Sequence, residues 1–178
     1  MRADGAQLRP LHLLLHPLPA ARDRPGLSLS RRVIGIGNPD RGDDAAGRVV
    51  ARLLRGRLPA DVAVVELSGE ATELLAALEG AAAAMLVDAA ASGAPPGTVR
   101  RFDVAAGPLP AASFTLSSHG FGLVEAVELA RALGQLPPRC VVYAIEGASF
   151  ETGAPLSAAV AAALPEVADR IAAELATR

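Results

Sequence analysis

The chain contains no lysine, and all 17 of its basic residues are arginine. That excludes a G-x-x-x-x-G-K-[ST] phosphate loop, whose chemistry needs the lysine. Cysteine is nearly as scarce, with Cys140 alone. One thiol makes no internal disulfide and no thiolate metal site, and its place beside Val141 and Val142 reads as a buried, inert group. No apolar run reaches the length of a membrane span. The formal net charge of −2 leaves no broad field for nucleic acid or an anionic membrane. Arginine, alanine, glycine and proline in place of lysine read as the codon bias of a GC-rich genome rather than as function. At 178 residues the chain is one domain, able to bury a core without disulfides or structural metals.

Residues 1–30 read differently from the rest. The apolar stretch 11–18 is interrupted by His12, His16 and Pro17, which makes a poor signal peptide. The expectation is a flexible leader over 1–30 and a single domain over 31–178. From Arg31 onward strand and helix patterns alternate. Strands are expected at 33–36, 62–67, 83–88, 98–104 and 141–145, the fourth at an edge because Arg100, Arg101 and Asp103 interrupt it. Helices are expected after Asp44, over 71–78, from Leu123 to a stop at Gly134, and over 156–176 with a break or kink at Pro165. Such alternation implies an α/β fold, a largely parallel sheet covered on both faces.

The stretch 32–47 organises this pattern. Val33, Ile34 and Ile36 form a β-branched strand, and Gly35 and Gly37 permit a sharp bend or a close approach. Residues 38–42, Asn-Pro-Asp-Arg-Gly, are turn chemistry. Ala45, Val49, Val50, Leu53 and Leu54 then recur at helical spacing, with Arg48, Arg52 and Arg55 on the other side. Asp43 and Asp44 fall at the helix entrance, where one carboxylate can cap and the second needs another reason, a metal or a proton. A dinucleotide fingerprint fails here. Its third glycine would be Asp40, and two carboxylates stand where a pyrophosphate should land.

In open α/β folds, ligands sit beyond the carboxyl ends of the strands. Asp44 follows the first strand, Asp88 closes the third and His119 opens a helix, so all three can reach one rim. Two carboxylates and an imidazole suit a borderline divalent metal with open positions. Ser117 and Ser118 beside His119 read as caps rather than nucleophiles, and no Ser-His-Asp set stands in a suitable context.

The blocks Gly-Ile-Gly-Asn-Pro-Asp-Arg-Gly-Asp-Asp-Ala-Ala-Gly at 35–47, Val87-Asp88-Ala89 with Pro96-Gly97, Ser118-His119-Gly120 and Ile145-Glu146-Gly147 resemble, in order, the hydrogenase maturation protease family. The resemblance implies a mostly parallel, twisted five-stranded sheet with helices on both faces. It also implies a cytoplasmic endopeptidase that removes the C-terminal extension of a [NiFe]-hydrogenase large-subunit precursor after nickel insertion. The family's metal-contacting positions carry over onto Asp44, Asp88 and His119, with the nickel supplied by the precursor. Where many members have an acidic residue and paired glycines after the second strand, this chain has Ser68-Gly69-Glu70, with Glu70 and Glu66 as the available substitutes.

For the cleavage itself, the expectation is that metal held between protein and substrate polarises the scissile carbonyl or a water, with Asp44 or Asp88 taking a proton. The expected partner is the precursor alone, met by a monomer. Two alternatives stay open: a self-sufficient metallohydrolase acting on a small molecule, and a nickel-sensing chaperone that recognises the precursor without cutting it.

Overall fold

The computed structural model describes residues 30–110 and 122–176. Five strands, β1 (Arg31–Ile36), β2 (Val62–Leu67), β3 (Ala83–Ala90), β4 (Val99–Asp103) and β5 (Arg139–Glu146), form one sheet in the order β2-β1-β3-β5-β4. All neighbours are parallel except β4, which runs antiparallel to β5 at the edge. The helices are α1 (Ala46–Leu54), α2 (Ala71–Leu78), α3 (Leu123–Ala132) and α4 (Ala158–Ala176).

Period-two alternation in the strands divides the core in two. Val33, Met85, Val87, Val141, Tyr143 and Ile145 face α1 and α4, meeting Val50 and Leu54 on one and Leu164, Val167 and Ile171 on the other. Ile34, Ile36, Leu86, Cys140 and Val142 face α2 and α3, meeting Leu74, Leu78 and Val127. The central strand β3 is buried from Ala83 to Val87. Cys140 is fully buried, and burial pushes its thiol up to about 12, so it is inert as expected.

Several boundaries shift by one to three residues from the sequence reading, with β1 starting at Arg31 and β5 running from Arg139 to Glu146, and two differences bear on packing. β3 continues past Asp88 because β5 pairs with it through Ala90 and Glu146. α4 passes Pro165 without a break: Pro165 lies on the exposed side while Leu164, Val167, Ala168 and Ile171 anchor the other side to the sheet. Packing on both flanks of the proline outweighs the lost hydrogen bond.

Glycine sets how closely α1 lies on the sheet. A Cβ on Gly47 would sit 2.1 Å from the Val87 carbonyl oxygen and 2.5 Å from that of Ile36, and one on Gly35 would sit 2.3 Å from the Gly47 oxygen. The glycine-punctuated strand and turn thus serve helix-on-strand contact rather than a phosphate. The consequence is positional: the start of α1 is pulled down over the ends of β1 and β3.

Candidate active site

β1 has β2 on one side and β3 on the other, so the chain changes direction across the sheet at the β1/β3 pair. Crevices at such switch points are where open α/β sheets take ligands. Two carboxylates stand at the carboxyl end of this pair. Gly35 is aligned with Val87, which places Asp88, the next residue of β3, beside Ile36 at the end of β1. The chain then turns at Gly37, whose φ of 129° no ordinary side chain favours, and folds back so closely that a Cβ there would meet the Asp44 carbonyl at 1.8 Å. The turn is held by Asn38, whose Oδ1 accepts the Asp40 N–H at 2.9 Å, and by the Asp44 N–H donated to the Arg41 carbonyl at 3.1 Å.

Asp44 is partly exposed and its carboxylate lies 3.5 Å from the Arg41 guanidinium. Asp88 accepts the Ala89 N–H at 2.8 Å. Burial, reinforced by the negative charge of Asp44 and only partly opposed by that hydrogen bond, pushes Asp88 up to about 7. The two predicted carboxylates are therefore brought close enough for the charge of Asp44 to be felt at Asp88. The third predicted residue, His119, lies outside the described residues, as do Ser117 and Ser118. Among the described residues, no group of three His, Cys, Asp or Glu side chains could hold a metal ion.

Neither Asp43 nor Asp44 occupies an N-cap position: both lie in a 3-10 turn, Gly42–Ala45, and the N-cap residues of that turn and of α1 are Arg41 and Ala45, neither with a side-chain cap. Asp43 is instead fully buried and reaches across to the β5–α4 connection. It accepts backbone N–H bonds from Ala148 at 2.7 Å, Ser149 at 3.1 Å and Ser157 at 2.7 Å. Burial alone would raise its pKa, but these donors outweigh it and hold Asp43 below the ordinary carboxylate value. The Asp43 N–H returns a bond to Ser149 O at 2.9 Å, and the Gly42 N–H one to Ala154 O at 3.1 Å. Of the adjacent pair, Asp43 fastens the turn and Asp44 faces the rim.

A second buried carboxylate does the same for the loop after β3. Glu146 ends β5 and accepts the N–H groups of Ser92 at 2.7 Å, Gly93 at 2.8 Å and Ala94 at 3.2 Å, with the Ser92 hydroxyl at 2.8 Å. Neither supporting role was read from the sequence. The only signal was an acid ending an apolar strand just before a glycine. In the Ser68-Gly69-Glu70 loop, Ser68 Oγ donates to Glu73 at 2.9 Å and Glu70 is exposed, while Glu66 is engaged by arginines.

Comparison with known proteins agrees with this architecture. A family model described as HycI, hydrogenase maturation protease, matches residues 48–174, a span that contains Asp88 and begins four residues after Asp44. The hydrogenase maturating endopeptidase HybD from E. coli is 25% identical with a TM-score of 0.67, over 82% of this chain and 91% of that one. The [NiFe] hydrogenase maturation protease HycI from Thermococcus kodakarensis KOD1 is 23% identical with a TM-score of 0.64, over 84% and 94%. An endopeptidase from Escherichia coli solved in solution is 24% identical with a TM-score of 0.72, over 82% and 91%. No curated protein matches the chain in sequence. With most of its length matched by the family model, this chain belongs to the hydrogenase maturation proteases, a family of peptide-bond hydrolases.

Proposed function

We propose that this protein removes the C-terminal extension from a nickel-loaded [NiFe]-hydrogenase large-subunit precursor, and that Asp44 and Asp88, with His119, recognise the nickel carried by that substrate. The observation behind this reading is the pairing of Asp44 and Asp88 at the switch point of a maturation-protease fold, where burial, and then the charge of Asp44, raise the pKa of Asp88. Two carboxylates crowded this way favour a cation that relieves their repulsion, and oxygen donors plus an imidazole suit a divalent ion with positions left for substrate groups.

In this reading the precursor presents its nickel to the rim, and coordination by both partners fixes the tail for hydrolysis. Asp88, titrating near neutral pH in the free protein, can hold a proton before the substrate's cation arrives and release it on coordination. Asp44 or Asp88 is then placed to take a proton from the attacking water. Among the described residues no helix is long and apolar enough to cross a membrane. The proposal places the protein in the cytoplasm as a monomer whose rim stays open to its substrate.

The test is to incubate the full-length protein with the precursor, with and without inserted nickel, and to follow loss of the tail by mass spectrometry. Cleavage of the nickel-loaded form alone is expected. Equal cleavage of both forms would remove the nickel check. Stable binding without cleavage would favour a chaperone role.

A further inference from the structure

Two arginines of α1, Arg48 and Arg52, and Arg55 at its C-terminal cap converge on one carboxylate of the edge strand β2. Glu66 lies 3.0 Å from Arg48 Nε, 2.8 Å from Arg52 Nη2 and 2.8 Å from Arg55 Nη2. The hydrogen bond from Arg52, against the opposing effect of burial and with help from Arg48, holds Glu66 below the ordinary carboxylate value, so it carries its full negative charge at neutral pH. One negative charge answers three positive ones at this carboxylate. Clasping β2 to α1 needs only one guanidinium, so the second and third exceed what that contact requires.

The exposure is arranged to match. The Glu66 side chain is only 10% exposed, whereas those of Arg52 and Arg55 are 50% and 59% exposed. Arg55 reaches Glu66 through a single nitrogen, which leaves most of its donors unspent. The cluster is also next to the rim. Glu66 is aligned with Gly35 and Leu67 with Ile36 in the β1–β2 pair, and Arg48 follows Asp44 by about one helical turn. The arginine cluster thus gathers on the strand beside β1, whose end leads into the turn that carries Asp44. A charged surface next to a site orients a partner as well as attracts it.

We propose that Arg52 and Arg55, backed by Arg48, form a docking surface for an acidic, carboxylate-bearing segment of the protein substrate whose tail enters the Asp44–Asp88 rim. This rests on the protease reading above and adds where the precursor is gripped and by what chemistry. Guanidinium groups suit the role because they pair with carboxylates in a fork geometry and are weakly hydrated.

The test uses the full-length protein and the nickel-loaded large-subunit precursor of the same organism, with tail loss followed by mass spectrometry at low and high salt. A parallel arm measures precursor binding directly. The Arg52→Gln/Arg55→Gln double variant is expected to raise KM about tenfold at low salt, to leave kcat within about twofold, and to flatten the salt dependence. Arg52→Lys/Arg55→Lys is expected to recover most of the loss, since it keeps the charge. Glu66→Gln, which removes the internal clasp but frees the guanidinium groups, is expected to leave KM unchanged or lower it. A double glutamine variant with the wild-type KM and salt dependence would overturn the proposal, as would a Glu66→Gln variant that raises KM just as far, because both mark a merely structural network. If the wild type binds the precursor without cutting it, the protease reading falls and the binding arm decides the docking surface: weakened binding in the double variant supports it, unchanged binding overturns it. Absence of any complex or cleavage would overturn both.

Discussion

Asp43 accepts the backbone N–H of Ser157 at 2.7 Å, so an acid in the first strand-to-helix turn fixes the entrance of the last helix. Ala148 and Ser149 donate to the same buried carboxylate. Asp43→Ala would leave three N–H groups without their acceptor beside a buried gap, and a loss of about 3 kcal/mol is expected in urea unfolding. Since Asp43 is held below the ordinary carboxylate value, its contribution is present above pH ~4 and is lost as pH falls through its lower folded value. The difference between wild type and variant should therefore shrink in acid. A constant difference down to the lowest pH at which both fold would contradict this assignment.

Asp88 behaves in the opposite sense. Its folded value of about 7 lies above the unfolded value, so the native state binds more protons and stability falls as pH rises between ~4 and ~7. The cost is absent below that window and complete above it. Asp88→Asn is expected to stabilise the metal-free protein at pH 8 by up to about 4 kcal/mol, with little gain at pH 4, and to abolish precursor cleavage. Unfolding midpoints at the two pH values, read beside the cleavage assay, check both halves.

The alternation of Val33 with Ile34, or Val141 with Val142, carries the two-faced sheet in plain view, which is why the strand order of burial was legible in the sequence. Asp44 and Asp88 were legible too, because topology alone sends both to the strand ends. Asp43 was not: its partners are backbone groups more than a hundred residues away, and backbone donors leave no mark in a sequence. The Arg48, Arg52 and Arg55 stripe could be read from helical spacing, but its focus on Glu66 depends on the pairing of β1 with β2. His119 falls outside the described residues.

The close contact of α1 with the sheet predicts a sharp contrast between two glycines. Gly47→Ala would place a methyl 2.1 Å from Val87 O, against backbone that cannot yield locally. A loss of at least about 3 kcal/mol, or failure to fold, is expected. Gly107 has open space around its Cβ position and no positive φ, so Gly107→Ala should change stability by less than about 0.5 kcal/mol. Thermal unfolding of the two variants side by side is sufficient, and equal effects would mean that α1 does not rest on the β1 and β3 backbones.

At the far edge of the sheet, α4 is tied down by charge. Glu174 accepts from Arg101 Nε at 2.8 Å, from Arg139 at 3.3 Å and from the Tyr143 hydroxyl. The bond from Arg101, with that from Tyr143 added and burial opposing, holds Glu174 down at about 2, while burial and the neighbouring Glu174 push Tyr143 up to about 12. A carboxylate lowered from its unfolded value near 4.3 supports the fold above that pH and loses its effect as pH falls toward 2. The arginines are about two-fifths exposed, so solvent screening cuts the shift's nominal worth to about 1–2 kcal/mol. Glu174→Gln should therefore lower the unfolding midpoint at pH 7 and converge on wild type by about pH 2.5. Tyr143→Phe should cost less than Glu174→Gln at pH 7, because the arginine bonds remain. A larger loss from Tyr143→Phe would shift the hold on α4 from the ion pairs to the buried hydroxyl.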